Sequence, residues 1–308
     1  MGTYIVRRVL AGLLTLWTVT MVVSLLIHLV PGDPVRIMYA QSQATGPEQI
    51  EAKRHELGLD RPVYVQYVTY MGKVLRGDLG KTIRGEQPVL DLLMLRLPNT
   101  AMLAFAGLLV AIVVGGTLGF LSAYFRGSWF DTAAMGLAIG GIAVPSFWLG
   151  LLLMFFFSVR LGWLPVGGTG LRSLALPALT LGLVSAAVIA RLMRSSMLDV
   201  LSQDYMRTAR AKGLAERNVL AGHALKNSLI PIVTMLGLQI TYMLGGAVVV
   251  ENVFAWNGVG RLAVQAILQR DFPLIQGFVL MLAVIVISVS LAVDVLYAVI
   301  DPRIRYGA

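Results

Sequence analysis

The 308-residue chain contains no cysteine, which excludes disulfides and thiolate metal sites. Its three histidines, His28, His55 and His223, are too scattered for metal-ligand spacing. Charge is scarce as well, at 13% of residues. Within 99–125, 132–159, 174–190, 229–250 and 275–293 there is no Asp, Glu, Lys, Arg or His. Proton-coupled carriers generally place ionisable groups inside the membrane. Their absence argues against an ion-coupled secondary transporter, the competing reading from another class. An intramembrane hydrolase needs a buried nucleophile with a base, and no such pair is present in these runs. A phosphate-binding loop is missing too. Gly80-Lys81-Thr82 has the end of one, but the glycine required five residues earlier is Leu75.

What remains is apolar. Hydrophobic residues make up 57% of the chain and the mean hydropathy is +0.78, the composition of an integral membrane protein. A net charge of +9 would suggest nucleic acid in a soluble protein. Here it follows from membrane topology and contact with anionic lipid, so membrane lipid is the expected partner and nucleic acid is not.

Arg7 and Arg8 precede an uncharged stretch that extends to Val30 apart from His28. It is longer than a signal-peptide core and reads as a transmembrane helix with its N-terminus inside. His28 falls at its interfacial end. Residues 31–97 form an outer polar segment with helical composition at 47–57 and 63–75, the second lying along the membrane interface. The five charge-free runs supply five more spans. Run 132–159 exceeds what a core of roughly 30 Å requires; Pro145 kinks it, and whether it is one span stays open. Asp294, just past 275–293, either caps a packing contact or lines an inner gate. The expected fold is all-α, with six transmembrane helices and both termini cytoplasmic.

The longest polar interval after residue 97 runs from Asp199 to Pro231. Its Lys and Arg, with Arg194 upstream, outnumber Asp199, Asp204 and Glu216, placing it inside. Residues 206–212 have helical composition and Gly213 sits at a C-cap position. A second helix is expected over 216–226. Two short helices meeting at a glycine would make a compact knob.

Tyr205-Met206-Arg207-Thr208-Ala209-Arg210-Ala211-Lys212-Gly213-Leu214 resembles the signature loop of permease subunits of ATP-binding-cassette importers, in the dipeptide/oligopeptide/nickel version. The general motif has Glu-Ala-Ala where Arg207, Thr208 and Ala209 stand, and a proline where Lys226 stands. Pro31-Gly32-Asp33-Pro34, residues 57–62 and Gly77-Asp78-Leu79-Gly80 are similar to the N-terminal region of the same family. The stretch from Glu251 to Gly260 resembles its outer-loop motif, with Asn257 in place of a proline, and Asp301-Pro302-Arg303-Ile304-Arg305-Tyr306 resembles its C-terminal signature.

The resemblance implies a type I importer permease fold. Residues 1–97 would be a transmembrane helix plus an extracytoplasmic segment. Residues 98–308 would be a five-helix permease domain with a cytoplasmic coupling loop at 194–228. The residues implied to meet the ATPase are Asp204, Tyr205, Arg207, Thr208, Ala209, Arg210, Ala211, Lys212, Gly213, Leu214, Glu216 and Arg217. Pro145, Glu251 and Asp294 are candidates for gating or packing. The implied partners are a second, homologous permease, two ATP-binding subunits and an extracytoplasmic substrate-binding protein, all at the inner membrane of a prokaryote. The chain would bind no cofactor and catalyse nothing, with ATP and Mg on the partner subunits. The implied cargo is a di- or oligopeptide, with glutathione or a nickel chelate as the alternative.

Overall fold

The computed structural model describes residues 2–29, 35, 46–56, 60–83, 85–168 and 170–300. The motifs at 31–34, 57–59 and 301–306, and the side chain of His28, lie outside the described residues. Helices in chain order are α1 (Gly2–Leu29), α2 (Pro47–Glu56), α3 (Val63–Val74), α4 (Val89–Tyr124), α5 (Trp129–Ala143), α6 (Ser146–Arg160), α7 (Leu171–Leu201) and α8 (Asp204–Ala211). Then come α9 (216–253), α10 (Val259–Gln269) and α11 (Phe272–Ile300). Three helices contain a π-helical stretch: Ala111–Gly115 in α4, Met154–Arg160 at the end of α6, and Val219–Leu225 in α9.

Five described helices are long and apolar enough to cross a membrane, and α5 with α6 makes a sixth if the pair counts as one span. That pair is broken rather than kinked. Val144 (φ −81°, ψ 123°) and Pro145 (φ −60°, ψ 135°) are both extended, and the helix axis bends by 111° across them. Pro145 removes a helical N–H and drives the residue before it out of the helical region; Val144, β-branched, complies readily.

Helix ends differ from the charge-free runs because a helix does not stop where its apolar stretch stops. α4 begins at Val89, ahead of residue 99, carrying Asp91, Arg96 and Pro98 within it. α7 continues past residue 190 to Leu201, so 194–201 of the expected loop is helical. The second short helix expected at 216–226 is the opening of α9, which runs on unbroken to Val253. The two-helix knob is therefore one free helix, α8, laid against the root of a spanning helix.

The chain divides into two compact units, 1–98 with 261–308, and 99–260. In the first, α1 and α11 pack antiparallel. Arg8 meets Asp294 at 3.2 Å, a Cβ on Gly12 would stand 2.9 Å from Ile287, and Gln276 Nε2 donates to the Val23 carbonyl at 3.3 Å. The loop leading into α4 closes on itself, with Thr82 N–H donating to Gln87 O and Val89 N–H to Gly80 O, at 2.9 and 3.0 Å. The buried Asp271 carboxylate accepts from Ile83 N–H at 3.0 Å and from Leu274 N–H at 3.3 Å, pinning that loop while capping the first turn of α11.

In the second unit α7 is the central helix, and 72% of its apolar window is buried. α4 presses onto it through glycines. A Cβ on Gly115 would stand 2.5 Å from the Ala186 carbonyl oxygen, and one on Gly182 2.6 Å from that of Gly107. Association between helices in lipid relies on such close backbone approach, because apolar burial gives no driving force there. The core joins Leu103, Leu176, Leu181, Ile189, Met193 and Met197 to Met243, Ala247 and Val250 of α9.

Candidate functional site

The interval singled out in the sequence centres on α8. Its Met206 and Ala209 are buried in one cluster with Met197 of α7 and Val219, Leu220 and Ala224 of α9. Three positions apart, Met206 and Ala209 share a helix face; Tyr205, Arg207, Thr208 and Arg210 are exposed. Asp204 occupies the first turn, where a carboxylate complements the helix dipole.

The helix ends in a Schellman motif. Gly213 takes φ +77°, Leu214 N–H donates to Ala209 O at 3.4 Å and Gly213 N–H donates to Arg210 O at 2.9 Å. These bonds satisfy carbonyls the helix leaves unpaired. Arg210 and Glu216 reach across the turn from opposite sides, with Nε to Oε2 at 3.1 Å and Nη2 to Oε1 at 2.9 Å. These hydrogen bonds hold the Glu216 carboxyl below its ordinary range and push the Arg210 guanidinium up. Asn227 Nδ2 donates to the Tyr205 hydroxyl at 3.2 Å and to His223 O at 2.9 Å. The turn is thus fixed by backbone, by an ion pair and by a bond to α9. From Lys212 to Arg217 every residue is exposed, so Lys212, Gly213, Leu214, Glu216 and Arg217 form one surface with the outer side of α8. Ala211, the last helical residue, is exposed beside them.

Pro145 marks the break between α5 and α6. Asp294 pairs with Arg8. Glu251 is fully buried and accepts from the Thr100 hydroxyl at 2.6 Å; that hydroxyl in turn accepts from Val259 N–H at 2.9 Å. Trp256 N–H donates to Glu251 O at 2.8 Å, and its indole Nε1 donates to Asn99 O at 3.0 Å. The turn 256–260 folds around the carboxylate so closely that a Cβ on Gly258 would overlap Glu251, and one on Gly260 would reach 2.6 Å from the Val248 Cα. The glycines in this motif serve close packing around a buried acid.

One constellation escaped the sequence reading. Asp131 at the start of α5 accepts from Arg194 of α7, Nε to Oδ1 at 2.6 Å and Nη2 to Oδ2 at 2.7 Å. The Ser122 hydroxyl donates to the same carboxylate, as does Gly127 N–H at 3.0 Å. Asp131 is 4% exposed, and a buried carboxylate with two prongs of guanidinium and two further donors is well compensated. In the sequence Arg194 reads only as topology charge at the start of the expected loop. A local signal did exist in Ser128-x-x-Asp131, the spacing of a helix N-cap, and the Ser128 hydroxyl does accept from Asp131 N–H at 3.3 Å.

Residues 115–306 match the family described as "Binding-protein-dependent transport system inner membrane component", and residues 1–104 match its N-terminal membrane component. A glutathione transport system permease protein GsiC of Escherichia coli O6:H1 is 45% identical over 99% of this chain and 100% of that protein. The GsiC of Salmonella choleraesuis is 46% identical over the same shares. Among solved structures, an inward-facing MetNI methionine ABC transporter aligns with a TM-score of 0.59 at 18% identity, over 68% of this chain and 96% of that one. An amino acid ABC transporter aligns at 0.53 and 16%, over 69% and 94%. At those identities the structures speak for the fold alone. With the helices, the family match and the full-length relatives agreeing, the chain belongs to the binding-protein-dependent transport system inner membrane components, the non-catalytic permease subunits of type I ATP-binding-cassette importers.

Proposed function

We propose that this permease forms half of the translocation path for a short peptide, with glutathione the favoured cargo. Likeness along the full length to glutathione permeases at 45–46% identity carries this reading. A general di- or oligopeptide importer is the broader form of the same proposal. The assembly contains a second homologous permease, two ATP-binding subunits and an extracytoplasmic substrate-binding protein. Both termini are cytoplasmic. Residues 1–97 form an N-terminal helix with an extracytoplasmic segment, and 98–308 the permease domain with its coupling loop at 194–228.

α8 and the turn after it are the coupling element. ATP-driven closure of the two ATPases moves this rigid surface, and the permeases rock between outward and inward states. The Arg210–Glu216 strap and the Schellman turn support this role, because a lever must keep its shape to transmit displacement. Pro145, Glu251 and Asp294 act in packing rather than gating.

The test is reconstitution of the complete complex in liposomes with its binding protein. ATP inside should drive uptake of labelled glutathione, and a pH gradient alone should drive none. ATP-dependent uptake of dipeptides with glutathione excluded would move the cargo to the broader class. Uptake driven by protons alone would overturn the ATP-driven reading.

A further inference from the structure

The span of α9 carries a side-chain amide at its centre. Gln239 stands midway between Lys226 and Glu251, the charged residues that bound its run. It is 6% exposed, and its Oε1 is buried with no hydrogen-bond partner among the described residues. The same holds for the hydroxyl of Ser185 on α7, which is 1% exposed. Thr180 on that helix satisfies itself, its hydroxyl donating to Leu176 O at 2.8 Å. Ser185 makes no such bond back to its own helix. Buried polar groups left unpaired are costly.

Two contacts fix the register of α7 against α9. Leu181 Cδ1 stands 3.2 Å from where a Cβ on Gly246 would lie, and Met197 Sδ accepts from the Ser228 hydroxyl at 3.1 Å. From the first contact Ser185 lies about 6 Å along α7, and Gln239 about 10.5 Å along α9. From the second the distances are about 18 and 16.5 Å, so the two residues agree in height to within about 5 Å. They also share a side. Around α9, Gln239 falls about 20° from both Gly246 and Ser228. Around α7, Ser185 falls about 40° from Leu181, toward Gly182, where a Cβ would reach 2.6 Å from Gly107 O of α4. Ser185 thus looks into the seam of α4, α7 and α9, and Gln239 faces it. We propose that this seam holds one bound water, bridging the Ser185 hydroxyl and the Gln239 amide. A buried water takes about two to four polar partners, which Ser185 Oγ and the two ends of the amide supply. A cation needs several oxygen ligands, and two neutral side chains do not give them. Cargo is held off, since this chain's own helices bury both groups. A water turns with its partners, so the contact stays bonded as α7 and α9 shift. That role rests on the rocking motion proposed above; the water site does not.

Radiolytic footprinting tests the site, because radicals formed from a bound water oxidise the side chains beside it. Met243, one turn from Gln239, and Met197, about 18 Å along α7 from Ser185, are both fully buried. In the complete complex in nanodiscs, Met243 should be oxidised several-fold faster than Met197. Ser185→Ala with Gln239→Leu should cut Met243 oxidation several-fold while the exposed Tyr242 keeps its rate. Ser185→Ala alone, a loss of one atom, should lower it in the same direction and serves if the double variant fails to assemble. Met243 oxidised no faster than Met197, or at a rate the substitutions leave unchanged, would overturn the site. Protection of Met243 by saturating glutathione would also overturn it, since cargo would then occupy the seam. The joint is read separately: Met243 oxidation should persist when ATP hydrolysis is arrested with vanadate. Its loss there would overturn the joint while leaving the water site standing.

Discussion

Asp131 and Arg194 are 63 residues apart in sequence and meet through two parallel hydrogen bonds of 2.6 and 2.7 Å. The pair ties the start of α5 to α7, seven residues before α7 ends and the chain turns into α8. Asp131→Ala leaves a guanidinium without its partner, a loss below the about 3–5 kcal/mol of a fully buried pair because the Arg194 side chain is 29% exposed. It should lower both membrane abundance and the thermal midpoint of the purified complex. Replacing both, Asp131→Leu with Arg194→Met, should recover most of that loss. Melting of the Asp131→Ala variant at the midpoint of the unsubstituted complex would show that the pair contributes nothing to stability.

Gly213 gives the sharpest test of coupling. Its φ of +77° suits glycine, and an L-residue there is strained by about 1–2 kcal/mol. No atom lies within 4 Å of a Cβ added at this position, so backbone strain is the whole effect of a small side chain. Gly213→Val should leave membrane insertion intact but abolish substrate-stimulated ATP hydrolysis and uptake; Gly213→Ala should be milder. Normal uptake by the valine variant, at normal subunit stoichiometry, would reduce α8 to a basic anchor.

The strap across that turn predicts a pH response. Because the Glu216 carboxyl is held below its ordinary range by Arg210, its contribution is present above the unfolded carboxylate value and lost as pH falls through the lowered one. Amide protection at 209–216, taken relative to the intrinsic exchange rate at each pH, should therefore hold at neutral pH and fall only in acid. Glu216→Gln should bring the lower protection to neutral pH. The gain is small, as for any exposed pair, so unchanged exchange in Glu216→Gln would assign the rigidity to the Schellman bonds alone.

For the buried acid, Gly258→Ala places a methyl in the volume of the Glu251 carboxylate. Overpacking of this kind costs about 1–3 kcal/mol or more. Removing the acid as well, in Glu251→Ala with Gly258→Ala, should cost less than the two single losses added together, because the methyl then has room. Strict additivity in thermal unfolding would mean that Gly258 is required for its backbone and not for closeness to Glu251.

The spans were legible because membrane burial enforces long uncharged runs, and α8 because its composition and Gly213 agreed. Helix ends were not: α4 carries Asp91 and α7 carries Arg194 beyond any apolar run. The break at Val144-Pro145 was half legible, since proline announces a disturbance but not its 111° magnitude. The cradle of Glu251 and the Asp131–Arg194 pair were hidden because both depend on contacts between segments far apart in sequence. No local periodicity encodes them.

The wide turns at 111–115, 154–160 and 219–225 have a consequence for how this chain tolerates change. A π turn inserts about one residue into the helical repeat, so whatever follows is rotated by roughly 100° against an ideal α-helix. Val219, Leu220 and Ala224, which receive Met206, lie in the stretch at 219–225 itself, so the wide turn sets the phase of that face against the face further along α9 that meets α7. Deleting one residue there would restore regular hydrogen bonding and improve the helix locally. It would also turn one of those two faces away from its neighbour, making the better helix the worse transporter.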